Sequence, residues 1–236
     1  MQRDHVFIAL FGVLVLNERL ASGYLDTWPE WYLMSKPALL LSIILYFTAA
    51  TRRVKHPMRY LLLAGFVASW LGDISLMFQK EDEVYFLMGL ISFFLAHVFY
   101  ILSFRYWFHD NHHIPMIKKQ PWMMFLLVAY ALGLFRLLEP GLGSMKIAVI
   151  AYMVIILLMV VMALNRFAKV SRKGFALVFA GALLFLVSDS FLAYNKFTEP
   201  VPMAGAWIML TYSAAQLLIM LGGLHELRVH ARWRAA

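Results

Sequence analysis

The sequence predicts an all-α, polytopic membrane protein: eight transmembrane helices forming a single domain over residues 1–236, with both termini cytoplasmic. Three observations carry that reading. Apolar residues fill 63% of the 236 positions and charged residues only 14%, a balance far too apolar for a water-facing surface. The apolar residues gather in eight runs, and a spanning helix uses about 20 residues, so eight spans with short connections consume the chain and leave no separate soluble domain. The Lys and Arg cluster on alternate connections, which sets the orientation.

The runs fall at His5–Leu20, Leu33–Thr51, Met58–Phe78, Val84–Phe104, Trp122–Leu138, Met145–Leu164, Gly174–Tyr194 and Met203–Leu224. The first, followed by Ala21, Ser22 and Gly23, has the outline of a cleavable signal. Asn17, Glu18 and Arg19 interrupt the approach to that site, so the run reads as a retained helix. The basic clusters are Arg52–Arg59, Arg105–Lys119, Arg166–Lys173 and Arg228, Arg232 and Arg234; with Arg3 they hold 15 of the 21 Lys and Arg. The intervening connections carry Asp26, Glu30, the run Glu81-Asp82-Glu83, Glu139 and Glu199. The positive-inside rule places the termini and the basic connections in the cytoplasm, which requires an even helix count. The net charge of +8 is thereby explained as a topology signal, and no nucleic-acid partner is expected. Cysteine is absent, which excludes thiolate nucleophiles and Cys-ligated metals. An offset of 116 places Leu71-Gly72-Asp73 over Val187-Ser188-Asp189 and Lys36 over Tyr152, which fits a 4+4 parallel repeat.

Ionisable groups inside spans are costly and normally face a bundle interior or a wet cavity. Here they are Glu18, Lys36, Asp73, His97 and Asp189. Asp73 and Asp189 each lie 15 residues from the basic start of their runs, roughly 22 Å up a core about 30 Å thick. The two carboxyls are expected in one layer. Lys36 enters near the opposite end of the second run beside Pro37, read as a first-turn proline. Tyr152 and Tyr212 fall near the same height, Gln216 one turn below Tyr212, and His97 deeper than the aspartates. The composite is a polar pocket opening outward, continued downward by an apolar slot. Glu18 reads as an interfacial charge, and Trp28, Trp31, Trp107 and Trp122 as an interfacial belt. His109, His112 and His113 read as a solvated loop, so no metal site is expected. Each Asp has a plainer reading as well: hydrogen-bonding a Ser or Tyr on a neighbouring helix to fix packing.

Two carboxyls sharing a dry layer do not both ionise readily, so one keeps its proton while the other is charged. An acid and a base in one pocket suit acid-assisted cleavage of an ether-like bond through an oxocarbenium ion. A nearby Lys suits a phosphate head group. No Gly-x-Ser-x-Gly elbow is present.

Lys36-Pro37, Gly72-Asp73 with Leu76, Gly89 with Phe93, His97 and Tyr100, Phe185 to Ser190 running on to Asn195-Lys196-Phe197, and Thr211-Tyr212 with Gln216-Leu217-Leu218 resemble the YhhN-type lysoplasmalogenase family. The resemblance spans the second to eighth runs. It implies an eight-helix hydrolase that needs no cofactor and cleaves the vinyl-ether bond of lysoplasmalogens to a fatty aldehyde and a glycerophospho-base. It implies Asp73 and Asp189 as the catalytic pair, with Lys36 facing the phosphate and His97, Tyr152, Tyr212 and Gln216 lining the substrate cavity. The expected partners are a lysophospholipid and membrane lipids, in a bacterial inner membrane. The rival reading is a proton-coupled transporter of a lipid or small amphiphile, since paired acids at matched depth also suit ion coupling.

Overall fold

The computed structural model describes residues 2–106 and 114–233. The described helices are α1 (Gln2–Gly23), α2 (Pro29–Thr51), α3 (Pro57–Met77), α4 (Glu83–Phe104), the single turn α5 (Met116–Lys119), α6 (Trp122–Leu138), α7 (Lys146–Leu164), α8 (Arg172–Phe197) and α9 (Ala204–Trp233). All but α5 are long and apolar enough to cross a membrane, the sixth and seventh with short 3-10 extensions between them, giving eight spans. The chain is a multi-pass membrane protein. His109, His112 and His113, with Trp107, lie outside the described residues.

Each span hydrogen-bonds its own backbone, the requirement that lipid imposes, and its ends are tied where the sequence offers a cap. Asp82 accepts from the Val84 amide at 2.8 Å, and Ser171 accepts from the Gly174 amide at 3.0 Å. The helices begin and end within four residues of the apolar runs except at the end of α9, which continues to Trp233, nine residues past Leu224, and the early start of α2 has a consequence. α2 begins at Pro29, so Pro37 stands two turns inside the helix rather than in its first turn, leaving the Leu33 carbonyl without its intrahelical donor. The indole of Trp70 donates to the Pro37 carbonyl at 3.0 Å and so pins α3 to α2 at that point.

The closest helix pairs are α3 with α4 and α8 with α9, and both are built on small residues that let backbones approach. Gly72 faces the Phe93 ring, while Gly181 sits against the Ala215 carbonyl and the backbone of Ile219. A Cβ on Gly181 would stand 2.9 Å from that carbonyl oxygen. Gly181→Leu is therefore expected to part α8 from α9 and lower stability by about 1–3 kcal/mol, read as a lower melting temperature in detergent; an unchanged melting curve would contradict this packing.

The two ends of the bundle differ. At one end the Asp4 carboxylate receives two bonds from Arg228, at 2.6 and 2.9 Å, and a third from Tyr46, so the start of α1, the end of α2 and the last turns of α9 meet. The described residues of the basic clusters lie at this end. Arg166 is wholly buried there and donates to the carbonyls of Phe104 and Tyr106 at 3.2 and 3.1 Å, closing the end of α4. Burial pushes its guanidinium down to about 10 while Glu226 opposes that shift, so it stays charged at neutral pH. The core in this half is built on Phe47, Met58, Leu62, Phe66, Phe104 and Leu227, all fully buried, with Thr51, Ser103, Arg166 and Glu226 buried beside them. The opposite end carries the acidic connections. Trp28 and Trp31 at this end, and Trp122 at the basic end, are exposed, as an interfacial belt requires. α6 stands apart from the rest: Leu138 is its only buried residue, and its apolar outer face, including Phe125 and Leu132, meets lipid.

Candidate active site

Asp73 enters the site one turn before the end of α3, and Asp189 two turns before the end of α8. Both line one cavity of about 690 Å³ that opens at the acidic end of the bundle. Lys36 and Tyr32 of α2, Tyr212 of α9 and Phe93 of α4 complete its inner wall. The mouth is formed by the connection from Gln79 to Glu83, with Arg19 and Lys196. Lys36 is buried, with its ammonium 5.8 Å above the Tyr32 ring, so it is part of the wall rather than extended to the interface.

Each carboxyl is held on one oxygen only. The Tyr212 hydroxyl donates to Asp73 Oδ2 at 2.8 Å, and the Tyr152 hydroxyl donates to Asp189 Oδ2 at 2.5 Å. Neither Oδ1 accepts a hydrogen bond from a described side chain or backbone group. A carboxyl serving only to lock helices would be expected to spend both oxygens on protein donors, since unsatisfied polar atoms in a bundle are costly. These two instead keep one oxygen each for the cavity.

His97 lies behind Asp189, fully buried and away from the cavity wall. Its Nδ1 is 2.6 Å from the Phe93 carbonyl and therefore carries the hydrogen. Nε2 lies 3.9 Å from Asp189 Oδ2, with no hydrogen-bond partner among the described residues. Phe185 fills the space under this corner, with ring centroids 4.7 Å from His97 and 5.4 Å from Tyr212. Gln216 is also set behind the wall. Its Oε1 accepts from the Tyr100 hydroxyl at 2.7 Å, making it a strut between α4 and α9.

A second, narrower space adjoins the first at Asp189. It is walled by Leu90 and Phe93 of α4, Leu134 of α6, Met153 and Ile156 of α7 and Leu192 of α8, with Tyr152 and Asp189 at its inner edge. The sequence places an apolar slot below the polar pocket; the structure puts it beside the aspartates, toward α6. The reason is packing, because large side chains fill the half of the bundle beneath. Glu18 differs from expectation as well. It is fully buried rather than interfacial, and both its oxygens receive Arg19 at 2.7 Å, which sets the Arg19 side chain at the cavity mouth.

The profile of the YhhN family matches residues 31–223. The chain belongs to the YhhN family. The matched stretch takes in Lys36, Asp73, His97, Tyr152, Asp189, Tyr212 and Gln216 and leaves α1 outside. This YhhN chain is 32% identical over 205 residues to lysoplasmalogenase TMEM86A of Homo sapiens, covering 85% of the chain and 80% of that relative. It is 33% identical over 170 residues to lysoplasmalogenase TMEM86B of Homo sapiens, covering 70% of the chain and 64% of the relative. Against lysoplasmalogenase TMEM86B of Sus scrofa the identity is 29% over 198 residues, covering 83% and 77%. No solved structure matches the chain.

Proposed function

We propose that this YhhN protein hydrolyses the vinyl-ether bond of lysoplasmalogens, with Asp189 as general acid and Asp73 as general base. The observation that carries the reading is the pair of half-satisfied carboxyls in one roomy cavity, with an apolar slot opening from that cavity at Asp189. Kinship to proteins named lysoplasmalogenase supports it.

Protonation of the alkenyl carbon remote from oxygen, by the Asp189 carboxyl, turns the vinyl ether into an oxocarbenium ion. Asp73 takes a proton from a cavity water as that water adds to the cationic carbon, giving a hemiacetal. Asp189, now a carboxylate, removes the hemiacetal hydroxyl proton while Asp73 returns its proton to the departing glycerol oxygen. Fatty aldehyde and glycerophospho-base leave, one water is consumed, and both groups regain their starting states. The assignment follows from position: Asp189 borders the apolar slot, where the alkenyl carbons belong, whereas Asp73 shares the wet wall with Lys36. Lys36 faces the phosphate, and the acidic run Glu81-Asp82-Glu83 at the mouth suits the ammonium of an ethanolamine or choline head.

The large apolar side chains that fill the basic half, Phe47, Leu62, Phe66 and Phe104 among them, support hydrolysis over proton-coupled transport, which needs a path to the other side. We place the basic end in the cytoplasm and the cavity mouth on the opposite face, in a bacterial inner membrane, and read the two close helix pairs as parts of a 4+4 repeat.

Purified protein in detergent, given a lysoplasmalogen, is expected to release fatty aldehyde and glycerophospho-base in equal amounts. Well-folded protein that binds the lipid and releases neither would refute the proposal. Tyr152→Phe removes the hydroxyl that orients Asp189 and is expected to lower kcat about tenfold, because this hydrogen bond strengthens as Asp189 passes its proton to carbon and becomes charged, with KM little changed. A change in KM alone would remove Tyr152 from this role.

A further inference from the structure

Resting on that hydrolase reading, we infer that the slot between α4, α6, α7 and α8 is the site of the substrate's hydrocarbon chain, and that the chain enters it sideways from the lipid by displacing α6.

Continuity with the reacting groups identifies the occupant. Asp189 and Tyr152 form the slot's inner edge, and everything deeper in it is apolar apart from Tyr130 and Ser190 at the lipid-facing rim. A vinyl-ether lipid is polar on one side of the ether oxygen and a continuous hydrocarbon on the other. With the alkenyl carbons at Asp189, the head lies in the polar cavity and the chain has this slot as its apolar continuation. From Asp189 to Phe197 the slot follows α8 for eight residues, about 12 Å.

The slot as it stands has room for only about 50 Å³, against about 690 Å³ in the polar cavity. A cavity of roughly 150 Å³ is the scale that admits benzene, so a long chain fits only if a wall moves. α6 is the wall that can move. It buries a single residue, Leu138, at its far end, where Leu142 and Val149 join it in a small separate core. Nearer its middle Leu127 and Leu134 are only partly buried against their neighbours, and the side-chain hydrogen bond to α8 is the Tyr130 hydroxyl 2.6 Å from the Ser190 hydroxyl. Swinging about the Leu138 core and parting that contact opens the slot to the bilayer without disturbing α3, α4, α8 or α9, which hold the reacting groups.

The test uses a saturated ether lysophospholipid, which cannot be hydrolysed, carrying a diazirine midway along its chain, with the protein in lipid nanodiscs. Photolabelling is expected on peptides covering Tyr130–Leu138 and Leu192–Phe197, and is suppressed by excess unlabelled lysophospholipid. Labelling confined to lipid-facing peptides of α1 and α2, or insensitive to competitor, overturns the inference. In a parallel kinetic test, Ala131→Trp fills the slot from the tolerant helix α6. It is expected to lower kcat/KM for a long-chain lysoplasmalogen about tenfold or more, the scale of losing a few methylene contacts, and to spare a short-chain one. Equal loss on both overturns it too. Competed slot labelling in a protein that releases no aldehyde would reject the hydrolase reading and keep the chain site; aldehyde release without slot labelling would do the reverse.

Discussion

Asp73→Asn and Asp189→Asn each lower aldehyde release by roughly 10³-fold, within the range that a positioned acid or base contributes, in protein made to equal folded amounts. The expectation rests on how each carboxyl is held. Asn is nearly isosteric with Asp, and its amide oxygen still accepts from Tyr212 or Tyr152, so the contacts to α9 and α7 survive. What the amide cannot do is give up or take up the proton. The two variants are also expected to be strongly non-additive, because acid and base act within one sequence of proton transfers: the double variant is little slower than either single one. A residual rate that tracks the folded amount in every variant would instead show that these aspartates only fix helix packing.

Lys36→Met is expected to raise KM for a lysoplasmalogen about 10–100-fold with a smaller change in kcat. Met keeps the apolar stem of Lys and loses the ammonium. In a cavity set within the bundle, an ion pair with phosphate escapes much of the screening it would meet at a surface, and a hydrogen bond to a charged group contributes about 1.5–3 kcal/mol. The control is an alkenylglycerol without phosphate, whose KM is expected to be indifferent to the substitution. Equal effects on both substrates would move Lys36 from the head-group site to the wall structure.

Much of this arrangement was legible in the sequence because lipid makes polar groups conspicuous. Depth along the helix brought Asp73 and Asp189 to one layer, and they share one cavity; the same arithmetic put Tyr212 and Tyr152 close by, where each contacts one carboxyl. Depth gives height but not direction around the helix. Glu18, at the right height, was read as interfacial and is buried against Arg19. His97 and Gln216 read as cavity lining in the sequence, yet they stand behind the wall, His97 3.9 Å from Asp189 and Gln216 hydrogen-bonded to Tyr100. The slot was misplaced for a related reason. In helices apolar on every side, nothing distinguishes Leu134, which walls the slot, from Leu132, which faces lipid. The loose seating of α6 is a property of its neighbours and leaves no mark on its own composition. The run Glu81-Asp82-Glu83 was read as a topology signal, and the fold places the same residues at the cavity mouth.

The most direct test of the central claim, proton transfer to carbon within this cavity, is the mass spectrum of the aldehyde formed by the purified protein in deuterium oxide and trapped at once by reduction. Protonation by a carboxyl that exchanges with solvent predicts one deuterium on the carbon next to the aldehyde carbon, lost together with product in Asp189→Asn. Aldehyde formed at the native rate with no deuterium at that carbon would contradict the account.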